Sequence, residues 1–231
     1  MDAALSIALG YFVGSLSPSS LVGRVKKTDV RKSGTGNLGA TNTMLVLGWG
    51  AGIFVMLFDL MKSFLSGKLA QYLFPGLSVA GMLACIGAMI GHCFPVFHRF
   101  RGGKGLAAFG GLVIYCGLKY VPIVLCAGWA VMWIFDCTVM FPITVGIALP
   151  LLMYLFGEAP AKIITAICAG AVLDVMHIGN MKKALAGDEI MHVRDYFREK
   201  LHKEHRKVFA RKSESFPLLL GKLVIYSKSW L

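Results

Sequence analysis

Acid is scarce in this chain: 12 Asp and Glu stand against 24 Lys and Arg in 231 residues, a formal net charge of +12. Charged residues of both signs make up only 16% of it, well below a soluble domain's usual share, which argues against an ordinary soluble fold. The six cysteines, at positions 85, 93, 116, 126, 137 and 168, include no CxxC pair, which excludes a paired-cysteine zinc site and gives no disulfide framework. They fall mostly in apolar runs, where cysteine serves as small buried packing. His92, Cys93 and His98 lie close together, but no carboxylate accompanies them and their spacing matches no metal-ligand pattern, so no metal is expected. No recognised nucleic-acid module accompanies the basic excess, so nucleic acid is not an expected partner. The opening MDAALSIALG has neither a positive n-region nor a clear small-residue cleavage site, which favours a retained helix over a signal peptide.

Apolar sequence is abundant, at 56%. Runs near 3–23, 50–73, 77–97, 105–118, 120–135, 138–156 and 160–177 approach the roughly 20 residues that cross a hydrocarbon core. The stretch 105–135 could be one long helix or two short ones, and charge decides. Five Lys or Arg lie in 24–32, three in 98–104 and twelve after residue 181, together 20 of the 24. The positive-inside rule places all three segments in the cytoplasm. An even number of crossings must then separate 104 from 182, so 105–135 crosses twice, turning near Lys119, Tyr120 and Pro122. The expected fold is an all-α integral membrane bundle of seven transmembrane helices over 1–180, N-terminus outside and C-terminus cytoplasmic. Residues 181–231 form a basic cytoplasmic tail suited to anionic lipid headgroups, and its FPLLLGKLVIY segment at 216–226, too short to span, reads as interfacial or packed on the bundle.

Two segments interrupt the apolar pattern: GTGNLGATN at 34–42 and HRFRGGKG at 98–105. The first contains GxGxxG, from Gly34 through Gly36 to Gly39, but no strand precedes it, so it is no dinucleotide fingerprint. Its glycines can still turn successive amides toward one oxyanion, and a helix starting after Asn42 would point its positive end there. The alternative is a tight turn with no ligand. In the second segment Lys104 stands between Gly103 and Gly105, where no bulky neighbour keeps a cation from a phosphate, while Arg99 and Arg101 read as membrane-edge anchors. At the end of the last run His177 and Asn180 share a helix face at i, i+3. Asp59 and Lys62 lie inside the second run at the same spacing, which points to a mutual salt bridge. Asp174 reads as interfacial and Asp136 as a loop residue.

The runs GSLSPSSLVGRVKKTDVRKSGTGNLGATN, GHCFPVFHRFRGGKG and HIGNMKKALAGDE together resemble, in order and separation, the three motifs of the PlsY family of bacterial acyl-phosphate:glycerol 3-phosphate acyltransferases. The resemblance covers about residues 10–190, and the GHxFP and GGKG block is its most specific part. It implies a seven-helix enzyme of the bacterial cytoplasmic membrane, its site facing the cytoplasm, that moves a fatty acyl group from acyl phosphate to the sn-1 hydroxyl of glycerol 3-phosphate. Phosphate and lysophosphatidic acid are the products, and neither metal nor coenzyme is required. Carried over by position, Lys104, His177 and Asn180 would be catalytic. Gly34, Thr35, Gly36, Asn37, Gly39, Thr41, Asn42, Gly102 and Gly103 would bind phosphate. His177 is expected to bind first and act as base second. The chain departs from the family pattern at Leu45, where an Arg is usual, at Thr35 and Pro142 for Ser, at Met176 for Arg, and in GSLS for GSIP. Lost cations leave a second reading open, a noncatalytic homologue that binds lipid or assists another membrane protein. A transporter finds no support, since no inverted repeat is visible.

Overall fold

The computed structural model describes residues 1–186; the expected interfacial segment at 216–226 and most of the basic tail lie outside the described residues. All regular structure among the described residues is helical. The helices are α1 (Asp2–Gly14), α2 (Pro18–Val25), α3 (Ala40–Leu47), α4 (Trp49–Leu73), α5 (Ala80–Cys93), α6 (Leu106–Cys116), α7 (Tyr120–Ile134), α8 (Met140–Leu155) and α9 (Pro160–Leu185). Every apolar run is therefore helical, and 105–135 is two helices, separated at Gly117–Lys119 where Gly117 takes a φ of 146°.

Three helical stretches are long and apolar enough to cross a membrane: Asp2–Val25, Ala80–His98 and Pro160–Leu185. α6, α7 and α8 are shorter apolar helices, and α4 carries Asp59, Lys62 and Lys68 within its 25 residues. Large apolar side chains such as Phe54, Leu57, Trp129, Leu151 and Ile164 are exposed on the outside of the bundle, which suits hydrocarbon and not water.

The first run is not one helix. Pro18 lacks an amide and forces Ser17 into an extended conformation (φ −109°, ψ 99°), so α1 stops and α2 restarts with the Ser17 hydroxyl accepting from the Ser20 amide. The carbonyl of Leu16 is left at this break for another partner. A second departure from expectation follows the glycine segment, where the helix begins at Ala40, ahead of Asn42, and Gly48 (φ 92°) separates it from α4. Asn42 therefore sits within the first turn of α3. At the other end α9 continues past Asn180 to Leu185, taking Lys182 and Lys183 with it.

α5 is the axis of the bundle. Its Gly87 and Gly91 lie against the α1 backbone at Ile7 and Tyr11, while Gly10 and Gly14 of α1 lie against Ala84 and Ala88, so a side chain at any of these glycines would strike main chain. Small residues in this register are how membrane helices approach closely. On its other side α5 contributes Met82 and Met89 to a core shared with Phe109 and Leu112 of α6, Tyr120 of α7, Leu149 and Met153 of α8, and Leu173 of α9.

The ion pair expected inside α4 is present and has a third member. Lys62 Nζ is 2.7 Å from Asp59 Oδ1, and His92 Nδ1 lies 3.2 Å from the same carboxylate oxygen. Lys62 also donates to the Leu16 carbonyl at 2.9 Å. One buried cluster thus ties α4 to the α1–α2 break and to the end of α5. Removing one partner strands the other's charge, at a cost of roughly 3–5 kcal/mol. Asp59→Ala should accordingly lower the thermal midpoint sharply in detergent, and the double variant Asp59→Leu, Lys62→Met should recover much of it. An Asp59→Ala midpoint equal to wild type would contradict the pairing.

Candidate active site

The glycine segment is held in shape by Asn42. This side chain is 1% exposed, and each of its polar atoms is engaged: Nδ2 donates to the carbonyls of Val30 (2.7 Å) and Asn37 (2.9 Å), and Oδ1 accepts from the Thr35 amide at 2.6 Å. Gly34 is needed twice over, because its φ is +63° and a Cβ there would run into Asn42 Oδ1. Gly36 also has positive φ, at +73°. Gly39 does not: its φ is −99°, and nothing lies within 4 Å of where a Cβ would be. It is the N-cap of α3, no side chain caps that end, and the first-turn amides are open to an acceptor. Thr35, Gly36 and Thr41 are exposed around this opening, with Asn37 half-buried beside them and donating to the Thr35 hydroxyl at 3.4 Å. Behind it, Thr43 Oγ1 donates to the Gly39 carbonyl (2.9 Å) and meets Ser19 Oγ at 2.7 Å, fixing α3 to α2. The segment leading into the loop is ordered by Asp29, which accepts from the amide and guanidinium of Arg31; those hydrogen bonds hold its carboxyl below the usual carboxylate range.

The second segment folds back on α5. The amides of Gly102 and Gly103 donate to the carbonyls of Cys93 and His92, each at 3.1 Å, satisfying groups that a helix end leaves open. Gly103 packs so closely on His92 that a Cβ would meet its ring. The amides of both glycines are thus already bonded, and the carbonyl of Gly102 accepts from the Leu38 amide at 3.4 Å. That last bond joins the two glycine segments.

Lys104 follows directly, half-buried at the entrance to α6, and its ammonium donates to Oδ1 of Asn180 on α9. Burial first, and then the charge of Lys183, hold the Lys104 ammonium below the usual lysine value. A phosphate beside it would oppose both effects by favouring the charged ammonium. His177, one turn earlier on α9, is 5% exposed with Nδ1 at 2.8 Å from the Leu173 carbonyl. That bond keeps a proton on Nδ1 and leaves Nε2 as an acceptor. The structure therefore links 34–42 to 102–104 through Leu38 and Gly102, and 104 to 180 through the lysine.

Three features were not read from the sequence. His92 is the brace under the GGK segment, not a loose histidine beside a cysteine; its signal was its place at the end of α5 opposite an acid buried in α4. Asp174, expected at the interface, lies one turn before His177 facing Gly146 of α8, with Oδ1 buried and without a hydrogen-bond partner. Of the cysteines, Cys85 and Cys93 are buried but Cys126 and Cys168 are exposed on the outer surface; the six are all free thiols. No group of three or more His, Cys, Asp or Glu that could hold a metal occurs among the described residues. At the positions that depart from the motif pattern, Leu45 is 58% exposed on α3, and Pro142 is buried in the first turn of α8, where a missing amide breaks no helix bond.

A family model described as glycerol-3-phosphate acyltransferase matches residues 4–187. A glycerol-3-phosphate acyltransferase of Rubrobacter xylanophilus is 35% identical over 185 residues, 80% of this chain and 92% of that protein. One of Desulfotalea psychrophila is 33% identical over 191 residues, 78% of this chain and 93% of its own. Among solved structures, the crystal structure of PlsY, an integral membrane glycerol 3-phosphate acyltransferase, in its glycerol 3-phosphate form superposes with a TM-score of 0.73 at 26% identity, covering 81% of this chain and 94% of that one. Its lysophosphatidic acid form gives 0.72. This chain belongs to the glycerol-3-phosphate acyltransferase family, the PlsY family of integral membrane proteins.

Proposed function

We propose that this protein transfers a fatty acyl group from acyl phosphate to the sn-1 hydroxyl of glycerol 3-phosphate, giving lysophosphatidic acid and phosphate. The observation that carries the reading is the Lys104–Asn180 contact in a segment that is joined to the one leading into α3 by the Leu38–Gly102 hydrogen bond. Family membership supports it, since the relatives bear this activity in their names and solved relatives hold glycerol 3-phosphate and lysophosphatidic acid.

The acyl carbonyl of a mixed anhydride is already activated, so orientation and charge stabilisation suffice. Thr35, Gly36, Asn37, Gly39 and Thr41 with the first-turn amides of α3 receive a phosphate, and Lys104 and Asn180 position the phosphorylated substrates. The acceptor hydroxyl attacks the carbonyl carbon, a new ester C–O bond forms, and the bond to the phosphate oxygen breaks. The hydroxyl proton passes to the departing phosphate, with His177 Nε2 as the second acceptor. Asn42, Gly34, Gly102 and Gly103 act by holding the two segments in register, because their polar groups or their space are already committed to the fold.

Seven crossings, an outside N-terminus and a cytoplasmic site in a bacterial inner membrane follow from the parity of the basic segments, and membership in an integral membrane family supports a membrane bundle. Membrane-impermeant labelling of single cysteines in sealed cells should find position 104 and the 182–212 tail on the same, cytoplasmic side. Labelling on opposite sides would overturn this topology.

Leu45→Arg tests how the acceptor is handled. An added guanidinium on the exposed face of α3 should leave turnover intact or raise it several-fold with glycerol 3-phosphate, because Arg offers a bidentate clamp for phosphate. Purified wild type and variant should be assayed with acyl phosphate and a panel of acceptors by phosphate release. A preference for an unphosphorylated acceptor, further weakened by the substitution, would show a rebuilt acceptor pocket.

A further inference from the structure

Of the 24 cations, 20 lie in three basic stretches, and the rest are Lys62, Lys68, Lys119 and Lys162. Lys62 is the buried partner of Asp59. The other three, from α4, the α6–α7 turn and α9, converge on one place at the end of the bundle opposite Lys104. Eighteen residues of α9 separate Lys162 from Asn180, about 27 Å at 1.5 Å per residue. There an open cavity of about 550 Å³ is lined by Lys68, Gln71, Tyr115, Glu158 and Lys162, with Met153 among its apolar walls.

Glu158 is consumed by its neighbours. Its oxygens lie 3.0 Å from Lys162 Nζ and 3.6 Å from Lys119 Nζ, and it accepts from the Tyr120 hydroxyl at 3.0 Å. The hydrogen bond from Lys162, followed by that from Tyr120, holds its carboxyl below the usual range, so it stays a neutralised anion. Lys68 has no ion pair among the described residues. Its ammonium lies 5.6 Å from the ring of Phe64 and 5.8 Å from that of Tyr115, held over the cavity by two aromatic faces. Gln71 accepts from the Tyr115 hydroxyl through Oε1 at 3.3 Å, which turns its amide donors away from that bond. The cavity thus offers an uncompensated ammonium and amide donors beside apolar walls, on a bundle clothed in exposed apolar side chains.

We propose that this cavity binds a phosphate group carried by an anionic membrane phospholipid, with Lys68 and Gln71 as its ligands. The site is separate from the acyl-transfer centre, and its test does not depend on turnover. Native mass spectrometry of the full chain released from detergent doped with phosphatidylglycerol, phosphatidylcholine or inorganic phosphate reads occupancy directly. Wild type should retain phosphatidylglycerol over phosphatidylcholine. Lys68→Gln should weaken retention about fivefold at an unchanged thermal midpoint, and Lys68→Arg should preserve it. Displacement of the lipid by millimolar inorganic phosphate would also support the site and identify the free anion as a competing source. Equal retention in wild type, Lys68→Gln and the Lys68→Gln, Gln71→Leu double variant overturns the proposal, as does equal retention of phosphatidylcholine.

Discussion

Lys104→Ala should abolish acyl transfer. The ammonium is half-buried, sits beside Asn180 at the meeting of the two glycine segments, and is held below its usual basicity by burial. A phosphate dianion is the partner that such a cation lacks. Losing a charge-assisted contact removes roughly 1.5–3 kcal/mol, at least a tenfold loss, and more when the same group stabilises the departing phosphate. The loss should appear in kcat as well as KM, because the charge on phosphate grows as the anhydride bond breaks. An unchanged kcat with raised KM would confine Lys104 to ground-state binding.

Asn42→Ala should be nearly as damaging, although this side chain is too buried to meet a substrate. It deletes the donors to Val30 and Asn37 and the acceptor for the Thr35 amide, leaving three backbone groups to find other partners. At roughly 1 kcal/mol for each of these three hydrogen bonds, and more where a backbone group is stranded, the ordered loop loses about 3 kcal/mol, equivalent to roughly a hundredfold in turnover. The bundle core is remote from this loop, so the thermal midpoint should fall by only a few degrees. Wild-type turnover in a folded Asn42→Ala protein would show that the loop orders itself without its asparagine. Gly39→Ala offers the contrast: its ordinary φ and open surroundings impose no strain, so any loss it causes reports a ligand approaching that face.

Much of this arrangement was legible in the sequence, because membrane helices declare themselves by length and apolarity. The division of 105–135 into α6 and α7 follows from the parity of the basic segments. The glycine segments and the pair on the last helix were legible as chemistry, since glycine, lysine and a helix end suit phosphate. What escaped is what depends on the chain returning to a place far along the sequence. His92 and Lys62 are 30 residues apart, and only the packing of α4 on α5 shows that they share one carboxylate. The amides of Gly102 and Gly103 looked available for a ligand until the α5–α6 connection was seen to fold back on its own helix. The break at Pro18, inside a run that reads as continuous from 3 to 23, and its use in exposing the Leu16 carbonyl to Lys62 belong to the same class.

The central claim is that the Lys104 centre performs acyl transfer despite the changes at Leu45, Met176 and Pro142. Its most direct test is formation of lysophosphatidic acid from radiolabelled glycerol 3-phosphate and acyl phosphate by the purified, folded protein, with released phosphate measured in the same reaction. The account predicts one phosphate released per lysophosphatidic acid formed, and neither product above background in Lys104→Ala. No lysophosphatidic acid above the Lys104→Ala background, from wild-type protein whose thermal midpoint shows it folded, would contradict the account and favour a noncatalytic, lipid-binding homologue.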